Sequence, residues 1–104
     1  MPRVGWKPQF DLDAFKRTFF GGKKSLTERA RGDARELKLD ESDIDAVVQE
    51  LRRANFFRWY EPFVDWHPRQ DAYKVNYKGY RLFVKIQIDR NEAVVVSFHK
   101  DERR

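Results

Sequence analysis

Residues 81–88 constrain the fold of this chain more than any other segment, because every second residue in them is aliphatic. The aliphatic set is Leu82, Val84, Ile86 and Ile88. Successive side chains of a β-strand point to opposite faces of its sheet, so the alternation predicts a strand with one buried face. The intervening residues are Arg81, Phe83, Lys85 and Gln87. The same geometry places them together on the other face, which predicts a sheet covered on one side and open on the other.

Three further strands are predicted around this one. They cover residues 56–63, 73–77 and 94–98, where aromatic and β-branched residues are frequent. Lys78-Gly79 predicts a tight turn between the second and third strands, and residues 89–92 predict another before the last strand. Such short connections join antiparallel neighbours, so we expect an antiparallel meander.

Two helices are predicted from capping residues and apolar positions at helical spacing. Asp11 can cap the first helix. Phe15 and Phe19 are four residues apart and lie on one face of this helix, which is expected to end at Gly21-Gly22. The second begins with the capping-box spacing that starts at Ser25 and is expected to run to about residue 38. Residues 23–24 are expected to form an exposed connection between the two helices.

A third helix has the most regular pattern in the chain. Asp40 can cap it, and Asp43 adds a second acid in its first turn. Its apolar residues at helical spacing are Ile44, Val47, Val48 and Leu51. Arg52 and Arg53 are expected in its last turn, where cations favour the helix dipole.

The order of these elements predicts a single α+β domain over residues 1–104. We expect three N-terminal helices packed on one face of a four-stranded, mostly antiparallel, twisted sheet. Residues 1–9 contain Pro2, Gly5 and Pro8 and are predicted to form an irregular arm. No apolar run approaches the roughly 20 residues that span a bilayer, and the first residues have no apolar signal core. A cytoplasmic protein without membrane contact is therefore expected.

The charge of the chain favours an anionic partner. The formal net charge is +5 and the isoelectric point is about 9.6, which is typical of small nucleic-acid-binding domains and also of well-solvated surfaces. The absence of cysteine excludes disulfides, thiol catalysis and zinc–thiolate sites. The two histidines, His67 and His99, form no metal-ligand pattern, so neither a metal nor another cofactor is expected.

The predicted open face of the sheet combines cations, amides and an aromatic ring. Lys74 and Asn76 from the second strand and Arg58 from the first join the residues of the third. Cations bind phosphates and rings stack on bases, so the face suits RNA, although a merely solvated polar face is the alternative. His99 neighbours this face and is a better catalytic candidate than His67, which stands beside a proline; a structural histidine is the alternative.

Five short segments of this chain occur in the same order, and with nearly the same spacing, as in a known protein family. They are Ala34-Arg35-Glu36-Leu37-Lys38-Leu39, Phe56-Phe57, Gln70-Asp71-Ala72-Tyr73, Val84-Lys85-Ile86 and Val95-Val96-Ser97-Phe98. Together they resemble the MqsR (motility quorum-sensing regulator) family of type II toxins, from near Phe15 to about Lys100. The resemblance implies a RelE-like fold and a metal-independent ribonuclease that cuts messenger RNA at GCU-type sites. It also implies an antitoxin with a zinc-binding N-terminal domain and a helix-turn-helix C-terminal domain.

The resemblance also implies positions for an active site. The family's proposed site uses a lysine in the first strand, a glutamine before the second, a tyrosine in the third and a lysine after the last. Here Arg58 and Gln70 stand at the first two positions, and Phe83, which has no hydroxyl, stands at the third. The last position falls at His99 or Lys100, because the final hairpin is one residue longer.

We expect attack of an RNA 2′-hydroxyl on the adjacent phosphorus, which gives a 2′,3′-cyclic phosphate and a free 5′-hydroxyl. The residues expected to act in catalysis are Arg58, Gln70, Lys85 and His99. The residues expected to bind RNA are Arg81, Phe83, Lys74 and Lys100. The cations would stabilise the phosphorane, the glutamine would orient a base or phosphate, and Phe83 would stack on a base. The histidine would move the proton, with Tyr80 or Tyr77 as alternatives.

Two other functions stay open. A non-catalytic RNA-binding module on the same face is favoured by Phe83, because a phenylalanine cannot transfer a proton. A protein-interaction domain would use the basic surface to bind an acidic partner. RNA binding without cleavage would identify the first, and sensitivity to charge reversal with indifference to RNA would identify the second.

Overall fold

The structure, a computed structural model, describes residues 4–61 and 68–101. Within these ranges there are three helices: Leu12–Phe20 (α1), Glu28–Glu36 (α2) and Glu41–Glu50 (α3). The six strands there are Val4–Gly5 (β1), Lys24–Leu26 (β2), Phe56–Tyr60 (β3), Gln70–Tyr77 (β4), Tyr80–Asp89 (β5) and Glu92–Lys100 (β6). The α+β class and the three helices are confirmed. Part of the predicted turn at residues 66–69, including His67, lies outside the described residues.

The sheet has more strands than predicted, and it is mostly antiparallel, as predicted, with one parallel pair. Its strand order is β1-β3-β4-β5-β6-β2. The four predicted strands form its antiparallel centre, while β1 is added antiparallel to β3 and β2 is added parallel to β6. The prediction of four strands is therefore wrong. With two and three residues, β1 and β2 are too short for an alternating pattern to reveal them.

The described part of the N-terminal arm, residues 4–9, is fixed to the sheet instead of being irregular throughout. Val4 and Gly5 pair with β3, and the backbone N–H groups of Gln9 and Phe10 donate to the two carboxylate oxygens of Asp71 at 2.9 and 3.0 Å. Asp71 is 0% exposed, and burial raises its pKa, against the lowering effect of these two hydrogen bonds. A buried carboxylate in β4 therefore anchors the segment that precedes α1.

The predicted caps of α1 and α3 are confirmed. Asp11 accepts hydrogen bonds from the N–H groups of Asp13 and Ala14, and Asp40 forms a reciprocal capping box with Asp43. The predicted end of α3 is wrong, because the helix ends at Glu50. Arg52 and Arg53 follow it, and a short 3-10 turn over Arg53–Asn55 leads into β3.

The start of α2 also differs from the prediction. Thr27 is the cap, accepting from the N–H of Ala30 at 3.0 Å, because Ser25 is engaged in β2 opposite Val94. The Thr27 hydroxyl also donates to the Val96 carbonyl at 2.7 Å. The helix continues past the end of β2, where the carboxylate of its Asp33 accepts from the Phe98 N–H at 2.9 Å. Side chains of α2 thus satisfy the free edge of β6.

One hydrophobic core lies between the helices and one face of the sheet. The buried residues of α1, α2 and α3 form a single cluster with the inward-facing residues of β4, β5 and β6. Both predicted hairpins are confirmed, with positive φ at Lys78 and Gly79 in the first turn and at Arg90 and Asn91 in the second. No helix in the described part of the chain is long and apolar enough to cross a membrane.

Asp43 links α3 to the β4–β5 hairpin and yields a stability prediction. Its carboxylate accepts from the Asp40 N–H, the Tyr77 hydroxyl and the Lys78 ammonium. The Asp40 hydrogen bond, followed by those of Lys78 and Tyr77, holds the Asp43 pKa well below its ordinary value. Since the folded-state pKa is depressed, the stabilisation is present at neutral pH and is lost as the pH falls below about 4.

We expect Asp43→Asn to lower the free energy of unfolding at pH 7 by about 1–2 kcal/mol, because the amide loses the charge and one acceptor oxygen. The free energies of unfolding of the variant and the parent, measured by urea denaturation, should converge as the pH falls below about 4. Asp45→Asn is the matched control, since Asp45 forms an exposed ion pair with Lys24. A pH-independent difference for Asp43→Asn would contradict the prediction.

Candidate functional site

The face of the sheet away from the helices, here called the open face, carries most of the predicted site. One row of cross-strand neighbours consists of Arg58, Ala72, Lys85 and Ser97. The next row consists of Lys74, Phe83 and His99. Directly opposed residues share a face, and neighbouring strands lie about 4.8 Å apart. Arg58 and Lys85 are therefore separated by one strand, on which the residue between them is only an alanine.

Phe83 is the centre of an aromatic cluster on the open face. Its ring lies against Phe57 and Tyr60 of β3, with centroid distances of 6.0 and 6.2 Å, and stacks on the imidazole of His99 at 5.2 Å and 19°. Phe83 is consequently 7% exposed. A ring so enclosed has no free face for a nucleobase, so its geometry fits a role in positioning His99 rather than the predicted stacking.

His99 is held in a defined orientation. Its Nδ1 atom lies 2.9 Å from the backbone carbonyl oxygen of Lys100, and a carbonyl can only accept a hydrogen bond. Nδ1 must therefore carry the proton, which leaves the Nε2 atom of the neutral ring as an acceptor. Stacking on Phe83 fixes the ring plane as well. The arrangement suits proton transfer through Nε2.

Lys85 is a half-buried cation that rests on aromatic rings. Its Nζ atom lies 4.7 Å from the centroid of the Tyr60 ring and 5.8 Å from that of Phe83. Burial, and to a lesser extent repulsion from the nearby Arg29, lower the pKa of Lys85 below its ordinary value. Within the described residues no carboxylate forms an ion pair with it, so its charge is available to an anion.

Arg58 is also held by rings. Its guanidinium carbon lies 4.2 Å from the centroid of Phe57 and 5.4 Å from that of Trp6. Its Nε atom is buried and has no hydrogen-bond partner in the part of the chain that is described. A buried donor without a partner costs stability, so this guanidinium is a candidate for a functional role rather than a purely structural one.

The other predicted residues are placed less uniformly. Gln70 lies on the open face opposite Tyr60, at the start of β4. Lys74 lies there too, but its ammonium is 3.2 Å from the Asp101 carboxylate, which compensates its charge. Arg81 is exposed at one end of the face and donates to the Asn76 amide oxygen at 3.3 Å.

Lys100 and the two alternative tyrosines do not belong to the open face. Lys100 is paired with the fully buried Leu82, so the register places it on the helix side of the sheet. The hydroxyl of Tyr77 donates to Asp43, and that of Tyr80 donates to the Leu37 carbonyl. The prediction that Tyr77 or Tyr80 could reach the site is therefore wrong. Of the two residues considered for the last site position, the open face contains His99.

Sequence patterns missed four residues that complete the site. A β-bulge in β3 breaks the register between Phe56 and Arg58, which allows Phe57 and Arg58 to contact each other on the open face. Arg29 of α2 lies near enough to Lys85 for its charge to help lower the Lys85 pKa. Tyr60 and Trp6 have large rings that a pattern assigns equally well to a core. Of these residues, only Tyr60 could have been assigned to the open face from the sequence, because it stands two residues after Arg58 in the same strand and successive side chains alternate between faces.

The arrangement can bind an anion and move a proton beside it. Two cations flank a position floored by an alanine, and a histidine with a free Nε2 lies in the next row of the sheet. Among the described residues, no group of three or more histidine or acidic side chains could hold a metal ion.

The enclosure of Phe83 predicts a large loss of stability when its ring is removed. Phe83→Ala should lower the free energy of unfolding by about 3–4 kcal/mol, because it opens a cavity in a packed cluster. Arg81→Ala on the same strand should change stability by less than about 0.5 kcal/mol. Equal, small losses in urea titrations of both variants would show that Phe83 is an exposed platform instead.

Comparison with known proteins gives a single family. A family model described as "Motility quorum-sensing regulator, toxin of MqsA" matches residues 7–100. The match includes Arg58, Gln70, Lys85 and His99, and Trp6 lies immediately before it. No curated protein matches the chain.

Proposed function

Since the chain belongs to the motility quorum-sensing regulator (MqsR) family, the toxins of MqsA, we propose that this toxin is a metal-independent endoribonuclease that cleaves messenger RNA. One observation carries the proposal. His99, whose Nδ1 is bound to the Lys100 carbonyl, stacks on the same Phe83 ring that lies beneath the Lys85 ammonium. A proton-transfer group and a cation that has no ion-pair partner among the described residues therefore lie beside one another on a cationic face.

The proposed reaction uses the nucleophile that RNA itself carries. The 2′-hydroxyl attacks the adjacent phosphorus, and its proton passes to the base. The bond from phosphorus to the 5′ oxygen then breaks, and that oxygen receives a proton. The products are a 2′,3′-cyclic phosphate and a 5′-hydroxyl, and no water or metal-bound nucleophile is required. The protein must supply a base, an acid and stabilisation of the phosphorane.

Each of these tasks has a candidate on the open face. The Nε2 atom of His99 accepts the proton of the 2′-hydroxyl. Arg58 and Lys85 stabilise the negative charge of the phosphorane from the two sides of Ala72, with the planar fork of Arg58 binding two oxygens. Because its pKa is lowered, Lys85 is also a stronger acid than an ordinary lysine and can protonate the leaving 5′ oxygen.

The remaining residues orient these groups or bind the RNA chain. Gln70 orients the phosphate or the base, and Phe83 keeps the imidazole plane fixed. Arg81 binds the backbone of the RNA beyond the cleaved linkage.

The biological setting follows from the family. We propose cleavage at GCU-type sites in cytoplasmic messenger RNA, with inhibition of translation as the result. The partner antitoxin is proposed to have a zinc-binding N-terminal domain and a helix-turn-helix C-terminal domain. A RelE-like fold is proposed on the same basis.

A second candidate function rests on Phe83. A phenylalanine at the tyrosine position removes a proton donor from the proposed family site, which favours a non-catalytic RNA-binding module. Under this alternative the protein would bind RNA with a strong dependence on salt concentration and leave it intact.

Incubation of the antitoxin-free protein with a defined RNA in excess EDTA tests the proposed function. We expect cleavage with 2′,3′-cyclic phosphate and 5′-hydroxyl ends. His99→Ala should lower kcat at least about 100-fold while RNA binding is retained, since general acid–base catalysis contributes about 100- to 10,000-fold. Lys100→Ala, one residue further on but on the opposite face, is the matched control and should retain activity. Full activity of His99→Ala would remove His99 from the mechanism, and tight binding without any cleavage would select the binding module.

The lowered pKa of Lys85 predicts a pH dependence of cleavage. As the pH rises through this pKa, the ammonium loses its charge and kcat should fall at a lower pH than an ordinary lysine would require. Lys85→Arg keeps the charge up to a pH of about 12, so it should shift the alkaline fall upward in profiles recorded from about pH 7 to about pH 10. Its maximal kcat should be lower than that of the parent, because arginine does not release its proton to the leaving oxygen. An alkaline fall at the same pH in parent and variant would assign it to another group.

A further inference from the structure

Trp6 is unusual among the aromatic residues that the structure describes, because it is largely exposed to solvent. It is 70% exposed, although burial of such a ring would be strongly favourable. The ring lies at the margin of the open face, where the Arg58 guanidinium lies 5.4 Å from its centroid. Arg58 occupies one side of the indole, and the high exposure leaves the other side open.

The segment that carries Trp6 is fixed before and after this residue. Gly5 pairs with Trp59 in β3, and the N–H groups of Gln9 and Phe10 bind the buried carboxylate of Asp71. The Gln9 side chain also accepts a hydrogen bond from Arg69 at 3.4 Å. The exposed indole is therefore preorganised, and a ligand that stacks on it does not have to order the chain first.

We propose that the open side of Trp6 is a nucleobase-stacking platform that binds a base of the RNA next to the phosphate held by Arg58. The proposal rests on the proposed function of the open face. An indole that carries a guanidinium on one side and solvent on the other matches the alternating cations and rings with which proteins bind single-stranded nucleic acid. The guanidinium of Arg58, whose planar fork can bind two phosphate oxygens, lies directly beside the ring.

The platform explains why the ring remains exposed. A tryptophan that served only to cover Arg58 would be expected to bury most of its surface against the sheet. A base stacked on the open side would bury the indole and extend the Phe57–Arg58–Trp6 stack by one more planar group. Because stacking does not depend on a hydrogen-bond pattern, the platform would add affinity for one base position with little selection among the four bases.

The test compares three variants on one RNA whose cleavage position has been mapped with the parent protein. Trp6→Ala should raise KM about 5- to 100-fold with little change in kcat, because each stacked base contributes about that much to binding. Trp6→Phe should recover most of the loss. Phe20→Ala, which removes a 48% exposed ring on α1, is the matched control and should leave KM unchanged. An unchanged KM for Trp6→Ala would overturn the proposal.

A second series separates stacking from the support of Arg58. RNAs that lack a single base, one at each position around the cleaved linkage, are compared with the intact RNA. The penalty of Trp6→Ala should vanish on the one RNA that lacks the stacked base and persist on the others. A penalty that persists on every RNA would show that Trp6 acts only through Arg58, which would also overturn the proposal.

The outcome for the platform is independent of cleavage. If the parent binds the RNA without cutting it, the ribonuclease proposal fails, and the same variants and abasic RNAs are compared by Kd in place of KM. If the parent neither binds nor cuts RNA, the proposed function and the platform both fail.

Discussion

The ring of Phe83 organises the open face, although the alternation of β5 assigns this residue to the polar side of the sheet. Phe57 and Tyr60 from β3 and His99 from β6 pack around it, so that rings from three strands form a small apolar layer outside the main core. Contacts across β4 are possible because Ala72, the residue between Arg58 and Lys85, has almost no side chain. The layer fixes the orientation of the groups that carry charge and protons.

Two irregularities in the sheet bring the functional residues into position. In β3 a bulge sets Phe57 and Arg58 against each other, where the guanidinium lies 4.2 Å from the ring. In β6 the register shifts between the pairs Ile86–Val95 and Lys85–Ser97, which leaves Val96 as the extra residue. The Val96 carbonyl accepts a hydrogen bond from the hydroxyl of Thr27, the cap of α2, so the bulge is also the point at which α2 is attached to the sheet.

The sequence predicted those parts of the molecule that depend on local periodicity or on a single capping residue. The alternation of β5 placed Lys85 correctly with Arg58, and Asp11 and Asp40 were correctly identified as caps. Features that depend on pairing between distant segments were not predictable. Thr27 rather than Ser25 caps α2 because Ser25 lies in β2, which pairs with β6. The segment before α1 is held in place by hydrogen bonds to the carboxylate of Asp71. The enclosure of Phe83 requires a bulge that leaves no mark in the pattern of apolar residues.

The central electrostatic feature of the site is that Arg58 and Lys85 rest on aromatic rings and form no ion pair with a carboxylate of the described residues. Lys74 rests on the Phe57 ring at 4.0 Å but also has an acidic partner in Asp101. Arg58 contacts the rings of Phe57 and Trp6, and Lys85 contacts those of Tyr60 and Phe83. A ring offers a cation a weaker attraction than a carboxylate and carries no net charge, so the positive potential of the site is preserved. Partly desolvated cations without counterions cost folding stability. The proposed phosphate would reduce that cost by binding between them, so that stability given up in the free protein would return as affinity for the anion.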